Sequence, residues 1–102
     1  MSAEVILRSA KRAISKPKNW TQEAIARDSR GNLVDVLSDR ATCFCMIGAI
    51  QVTRPSVDDY AGAISFLRKA TGVGVYDFND SHGHKAVLAA FDKAIEIAEM
   101  DA

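Results

Sequence analysis

The residues best suited to chemistry in this sequence are Cys45, His84, Asn79 and Asp80. A thiol, an imidazole to take its proton and a group to orient the ring are the parts of a cysteine nucleophile. That thiol must be accessible and its pKa lowered. Cys45 lies instead in the longest apolar stretch, Cys43 to Ile50, where a free cysteine behaves as a small hydrophobe. A core cysteine is therefore expected. A small hydrolase or transferase using Cys45 and His84, with Asp80 in support, is the alternative.

Cys43-x-Cys45 and His82-x-His84 offer four zinc ligands on paper. Residues two apart on a helix diverge by about 200°, and the usual knuckle spacing is absent. A metal would need 43–45 to be extended, so none is expected. Asp80 and His84, four apart, would face each other on a first helical turn. There a carboxylate can cap the helix and orient an imidazole for proton transfer or partner contact. Trp20, Arg27 and Asp28 suggest a tryptophan anchor with an Arg–carboxylate link. Both Trp and Arg are also frequent binding hot spots. Gly72-Val73-Gly74 lacks the phosphate-loop pattern, no serine sits in a nucleophile elbow, and no cofactor is expected.

These side chains must be held by something. The spacing of Ala3, Ile6, Leu7, Ala10, Ala13 and Ile14 predicts a helix over 3–16, capped by Ser2 and stopped before Pro17. Ser29-Arg30-Gly31-Asn32 between short arms predicts a hairpin pairing about 25–27 with 33–36, with Asp28 and Gly31 bounding a type I turn. Residues 39–53 are apolar on every side and predict a central buried helix. Gly48 costs that helix about 1 kcal/mol against alanine, so close approach of another backbone is expected there. Ser56 and Asp59 open a helix over 57–70 with Val57, Tyr60, Ala61, Ile64 and Leu67 inward, ending at Gly72. Residues 73–78 read as an extended arm. Asn79, Asp80 or Ser81 caps a last helix over 81–100 that buries His84, Val87, Leu88, Phe91, Ala94, Ile95 and Ala98.

The expected fold is therefore α+β and mainly helical: about four helices packed round the apolar 39–53 helix, with a small β-hairpin, in one domain over 1–102. Lys plus Arg and Asp plus Glu both number 13, which removes the electrostatic footprint of a nucleic-acid binder. The first 18 residues carry a net positive charge and the last 17 a net negative one, so the terminal helices should attract each other. No membrane span or secretory h-region is present in the sequence. Two cysteines two apart are not a disulfide framework, so reduced thiols in the cytoplasm are expected.

Three stretches carry a resemblance: Trp20 with Ala26-Arg27-Asp28 and Gly31; Phe44-Cys45-x-x-Gly48-Ala49; and Phe78-Asn79-Asp80 with His84. In order and spacing, over about residues 5–98, the sequence resembles a family of small bacterial and phage-borne domains of unknown function. It departs from that pattern in having Phe44 and Phe78 where Trp is frequent, and in the additional Cys43. The resemblance implies a fold and no activity. The functional expectation is thus a non-catalytic interaction or regulatory module. Its partner would be another protein, met through Trp20, Arg27, Asp28, Asn79, Asp80 and His84. The oligomeric state is not legible.

Overall fold

The computed structural model describes residues 2–101. Ser2 accepts a hydrogen bond from the Val5 N–H and opens α1, Ala3–Ala13, whose inward residues Ile6, Leu7 and Ala10 are fully buried. Ile14 caps its end, and a single 3-10 turn follows at Pro17–Asn19. Ser56 accepts from the Asp59 N–H and opens α3, Val57–Thr71; Gly72, in the left-handed conformation at φ 76°, closes it. Only glycine takes that geometry without a Cβ penalty. The last helix, α5, runs over His84–Met100 and buries Val87, Phe91, Ala94, Ile95 and Ala98. Helices α1, α3 and α5 pack on one another, with α3 against α5 the most extensive contact. The +4/−3 asymmetry of the termini is used: Arg8 pairs with Glu99 at 3.0 Å and Lys11 with Asp92 at 2.6 Å. Both are surface pairs, worth about 0–1 kcal/mol each.

The mainly helical α+β class holds, but several boundaries move. The 39–53 stretch is not one helix. Strand β2, Cys43–Phe44, comes first, then Cys45 as cap, then a short α2, Met46–Gln51. A short apolar run has no periodicity to separate a buried strand from a buried helix. Gly48 does serve close approach: a Cβ there would collide with the Ile25 carbonyl, which also accepts from the Cys45 N–H at 3.2 Å. Strand β1, Ala26–Arg27, pairs antiparallel with β2, Ala26 opposite Phe44 and Arg27 opposite Cys43. The expected partner, 33–36, contributes one bridge, Arg27 to Leu33. The turn at 28–31 is real, closed by Gly31 N–H to the Asp28 carbonyl at 3.1 Å.

Residues 73–78 are not an extended arm either. They enter α4, Val75–Ser81, with Val75 and Asn79 buried one turn apart. The alternation seen in six residues was too short to exclude a helix. Helix α5 starts three residues later than expected because His82 and Gly83 are extended. Helix α3 is rotated from its predicted face. Ala63 and Leu67 point inward, and Val57 and Ala61 are exposed.

Candidate functional site

The residues singled out by type meet round one buried amide. Asn79 is fully buried on α4. Its Oδ1 accepts from Trp20 Nε1 at 2.8 Å and from the Met46 N–H at 3.0 Å. Its Nδ2 donates to the Thr21 carbonyl at 3.0 Å and to Asp80 Oδ1 at 3.2 Å. Two lone pairs and two N–H groups are the whole capacity of a carboxamide, and all are used. The amide thus caps α2 from another helix and ties the Trp20 segment to α4.

The neighbours extend the brace. Gln22 Nε2 donates to the Asn79 and His82 carbonyls at 3.0 and 2.9 Å, satisfying the open end of α4. Asp80 Oδ1 accepts from the Glu23 N–H at 2.8 Å. Glu23 has φ 60°, a left-handed conformation that costs a non-glycine residue about 1 kcal/mol, and the Asp80 bond holds it there. His84 Nε2 donates to the Ile14 carbonyl at 2.6 Å, and its ring lies 5.6 Å from that of Trp20. The histidine therefore pins the start of α5 to the end of α1.

Several expectations are corrected by this arrangement. Asp80 and His84 are not partners on one helical turn, because the chain breaks between α4 and α5. Neither Asn79 nor Asp80 caps α5, whose N-cap is Gly83. Asn79 is sealed and offers no contact surface. Arg27 has no carboxylate partner among the described residues. Its guanidinium donates to Thr21 Oγ1 at 3.2 Å and to the Gly31 carbonyl at 3.0 Å, gripping the turn that follows β1. Asp28 faces that same turn: backbone and side-chain donors of Asn32, helped by the Arg30 N–H, hold its carboxyl below the usual carboxylate range.

Cys45 is 0% exposed. Its Sγ accepts from the Gly48 N–H at 3.4 Å. Burial pushes its thiol pKa up, and the Gly48 bond, which acts the other way, is outweighed. Among the described residues no hydrogen bond joins Cys45 to His84, so the parts of a nucleophile do not meet. The 43–45 region is extended, the condition set for zinc. Yet among the described residues no three His, Cys, Asp or Glu side chains converge on a metal-sized space. Both cysteines are free thiols, Cys43 half-buried and Cys45 buried, and they act as each other's control. In native protein, iodoacetamide should modify Cys45 at least ~100-fold more slowly than Cys43, since Cys45 must wait for an opening event. Peptide mass analysis of a labelling time course measures that ratio.

What sequence reasoning missed is the loop that the brace supports. Residues 28–42 carry Leu33 and Leu37, 71% and 46% exposed. From the same segment Asp28, Arg30, Asp39 and Arg40 line a cleft of about 510 Å³. Leu33 and Leu37 are legible as apolar residues, but the hairpin expected over 33–36 takes Leu33 into a sheet and leaves Leu37 just beyond it. No helix among the described residues is long and apolar enough to cross a membrane. A family model described as "Family of unknown function (DUF6197)" matches residues 1–97. No curated protein and no solved structure matches the chain.

Proposed function

The chain belongs to DUF6197, a family of unknown function, and from the geometry of its own site we propose that it is a non-catalytic protein-interaction module. One observation carries this reading. The side chains that could do chemistry, fully buried Cys45 and Asn79 and half-buried Asp80 and His84, are bonded to one another or to backbone. A catalytic group must instead present its reactive atom to a substrate.

On this reading Trp20, Arg27, Asp28, Asp80 and His84 are positioning residues. They fix segment 20–27 and the turn at 28–31, and so the loop beyond. The contact itself falls to Leu33 and Leu37. Exposed apolar side chains on a segment that also carries both signs of charge suit a protein contact, and loops on a rigid scaffold are its usual location. The partner is another protein, with an apolar pocket and a mixed-charge rim. Free thiols fit a reducing compartment such as the cytoplasm.

Affinity capture from the source cells tests this. Leu33→Asp with Leu37→Asp should reduce the co-purifying partner at least ~10-fold, because the apolar anchors of an interface dominate its energy. Both side chains are exposed, so the melting temperature should stay within a few degrees. Capture that survives this double substitution, or that fails on Cys45→Ser in folded protein, overturns the assignment.

A further inference from the structure

We propose that the outer face of α3 is a self-association surface, on which a second copy of this chain lays its own α3 antiparallel about a two-fold axis. The surface is distinct from the 28–42 loop and stands on separate observations.

Helix α3 carries two apolar stripes. Ala63 and Leu67 form the inner one and are fully buried. Val57, Ala61, Ile64 and Arg68 follow at i, i+4, i+7 and i+11, the spacing of one helix face. That stripe is open at its N-terminal half, where Val57 is 84% exposed and Ala61 is exposed; Ile64 is half-buried, one side of it against the core. Alongside it, from Tyr60 to the turn after the helix, runs a groove of about 560 Å³, lined by Tyr60, Ile64, Arg68, Gly72 and Val73 among others. The left-handed turn at Gly72 directs the chain back so that Val73, itself 49% exposed, joins that lining. Val57 is therefore a knob just beyond one end of the groove, which continues to the Gly72 turn at the other.

An antiparallel two-fold brings the two together. With the axis passing between Ala63 and Ile64, residue 57 of each copy is level with residue 70 of the other. The Val57 knob then meets the groove at both ends. Ala61 and Ser65, small side chains near the crossing, let the helices approach closely. A two-fold interface must be self-complementary in this way.

Charge selects the same arrangement. The first turn of α3 carries Asp58 and Asp59 and the last carries Arg68 and Lys69. None of these four is in an ion pair among the described residues, although the Lys69 ammonium lies 5.5 Å from the Phe66 ring centroid and must turn from it to meet a carboxylate of the second copy. At 100° per residue, Asp58, Ser65 and Lys69 run along one flank of the stripe. Antiparallel packing sets Asp58 opposite Lys69 of the second copy, twice, whereas parallel packing would set like charges together. Helix dipoles are also opposed in the favoured orientation. The formal net charge is zero, so no long-range repulsion keeps copies apart.

One helix pair is a small interface, so the dimer should be weak, with Kd of roughly 100 μM. Sedimentation equilibrium of the full chain from about 10 μM to about 1 mM spans that range. The expected result is a mass rising from monomer to dimer. Val57→Asp should weaken association at least ~10-fold, and Asp58→Lys or Lys69→Asp alone about 3-fold each. The double reversal, Asp58→Lys with Lys69→Asp, should recover most of the parent's affinity. Leu33→Asp with Leu37→Asp should leave association unchanged, which separates this surface from the proposed partner contact. Melting curves accompany each variant. Ser65→Arg, at an exposed position on the flank of the stripe near its middle, replaces any that does not fold and should also weaken association at least ~10-fold, as a bulky charge beside the crossing. A single monomer mass throughout, a dimer indifferent to both Val57→Asp and Ser65→Arg, or a double reversal no better than the single ones would overturn the proposal.

Discussion

Gly48→Ala is expected to destabilise the protein by about 2–4 kcal/mol, although alanine is the better helix former. Two effects oppose each other. Helix propensity favours alanine by about 1 kcal/mol in the interior of α2. Overpacking opposes it, and overpacking wins. The added methyl would occupy the space of the Ile25 carbonyl oxygen, with the Ile25 carbonyl carbon and Cγ2 each 3.2 Å away. Backbone cannot swing aside as a flexible side chain can, and this backbone is tied by its bond to the Cys45 N–H. Insertion into a tight core costs about 1–3 kcal/mol when side chains can adjust, and more when they cannot. A domain of this size has about 5–15 kcal/mol in all, and each kcal/mol moves Tm by about 4–8 °C. The expected fall is thus roughly 10–25 °C. Gly83→Ala is the control. A Cβ there meets nothing within 4 Å, so its change should stay within about 1 kcal/mol, the difference between glycine and alanine at the N-cap of α5.

Asn79→Asp should be at least as costly, about 3–5 kcal/mol at neutral pH, although it changes one NH₂ group to oxygen. The oxygen facing Trp20 and Met46 would keep its donors. The new oxygen would face the Thr21 carbonyl and the Asp80 carboxylate, both acceptors, and a negative charge would be buried beside another. Leaving such a charge uncompensated costs about that much. The pH dependence gives the mechanism away. Burial and the Asp80 charge raise the introduced carboxyl's pKa in the folded state above its unfolded value of about 3.9. A raised folded pKa favours the protonated form. The variant's deficit should therefore be smallest in acid, where the carboxyl can donate to the Thr21 carbonyl, and should grow as pH rises through the folded value. Urea unfolding of parent and variant at about pH 4.5 and 7.5 measures it. A deficit that is the same at both would show that the amide's polarity is not what matters.

Long segments with a strong period were legible in the sequence, and so were the residues that stop them. Ser2, Ser56 and Gly72 cap where their types predict, and Val87, Phe91, Ala94 and Ile95 face the core as their spacing requires. Gly48 was legible by conflict, since a glycine in so apolar a run needs a reason. Short segments were not legible. Cys43–Phe44 and Val75–Ser81 are too brief for a period to decide, and tertiary partners decide instead. Helix α3 misled for another cause: its two apolar stripes are equally convincing on paper, and only packing against α1 and α5 chooses between them. The types at the site pointed to the right residues and the wrong job. Trp20 and Asn79 stand 59 positions apart, and nothing local to either announces the other. The one available sign was Asn79 one turn beyond Val75, a polar residue on an apolar face that must find partners.

The central claim is that these polar residues form an internal brace and not a reactive site, and its keystone is the bond from Trp20 Nε1 to Asn79. The chain has a single tryptophan, so its indole N–H gives one unambiguous NMR signal. Hydrogen–deuterium exchange of that proton is the most direct measurement. The account predicts protection of at least ~10³-fold, approaching the slowest backbone amides of α5, because only a large opening releases it. Exchange near the rate of a free indole in an otherwise protected native protein would contradict it.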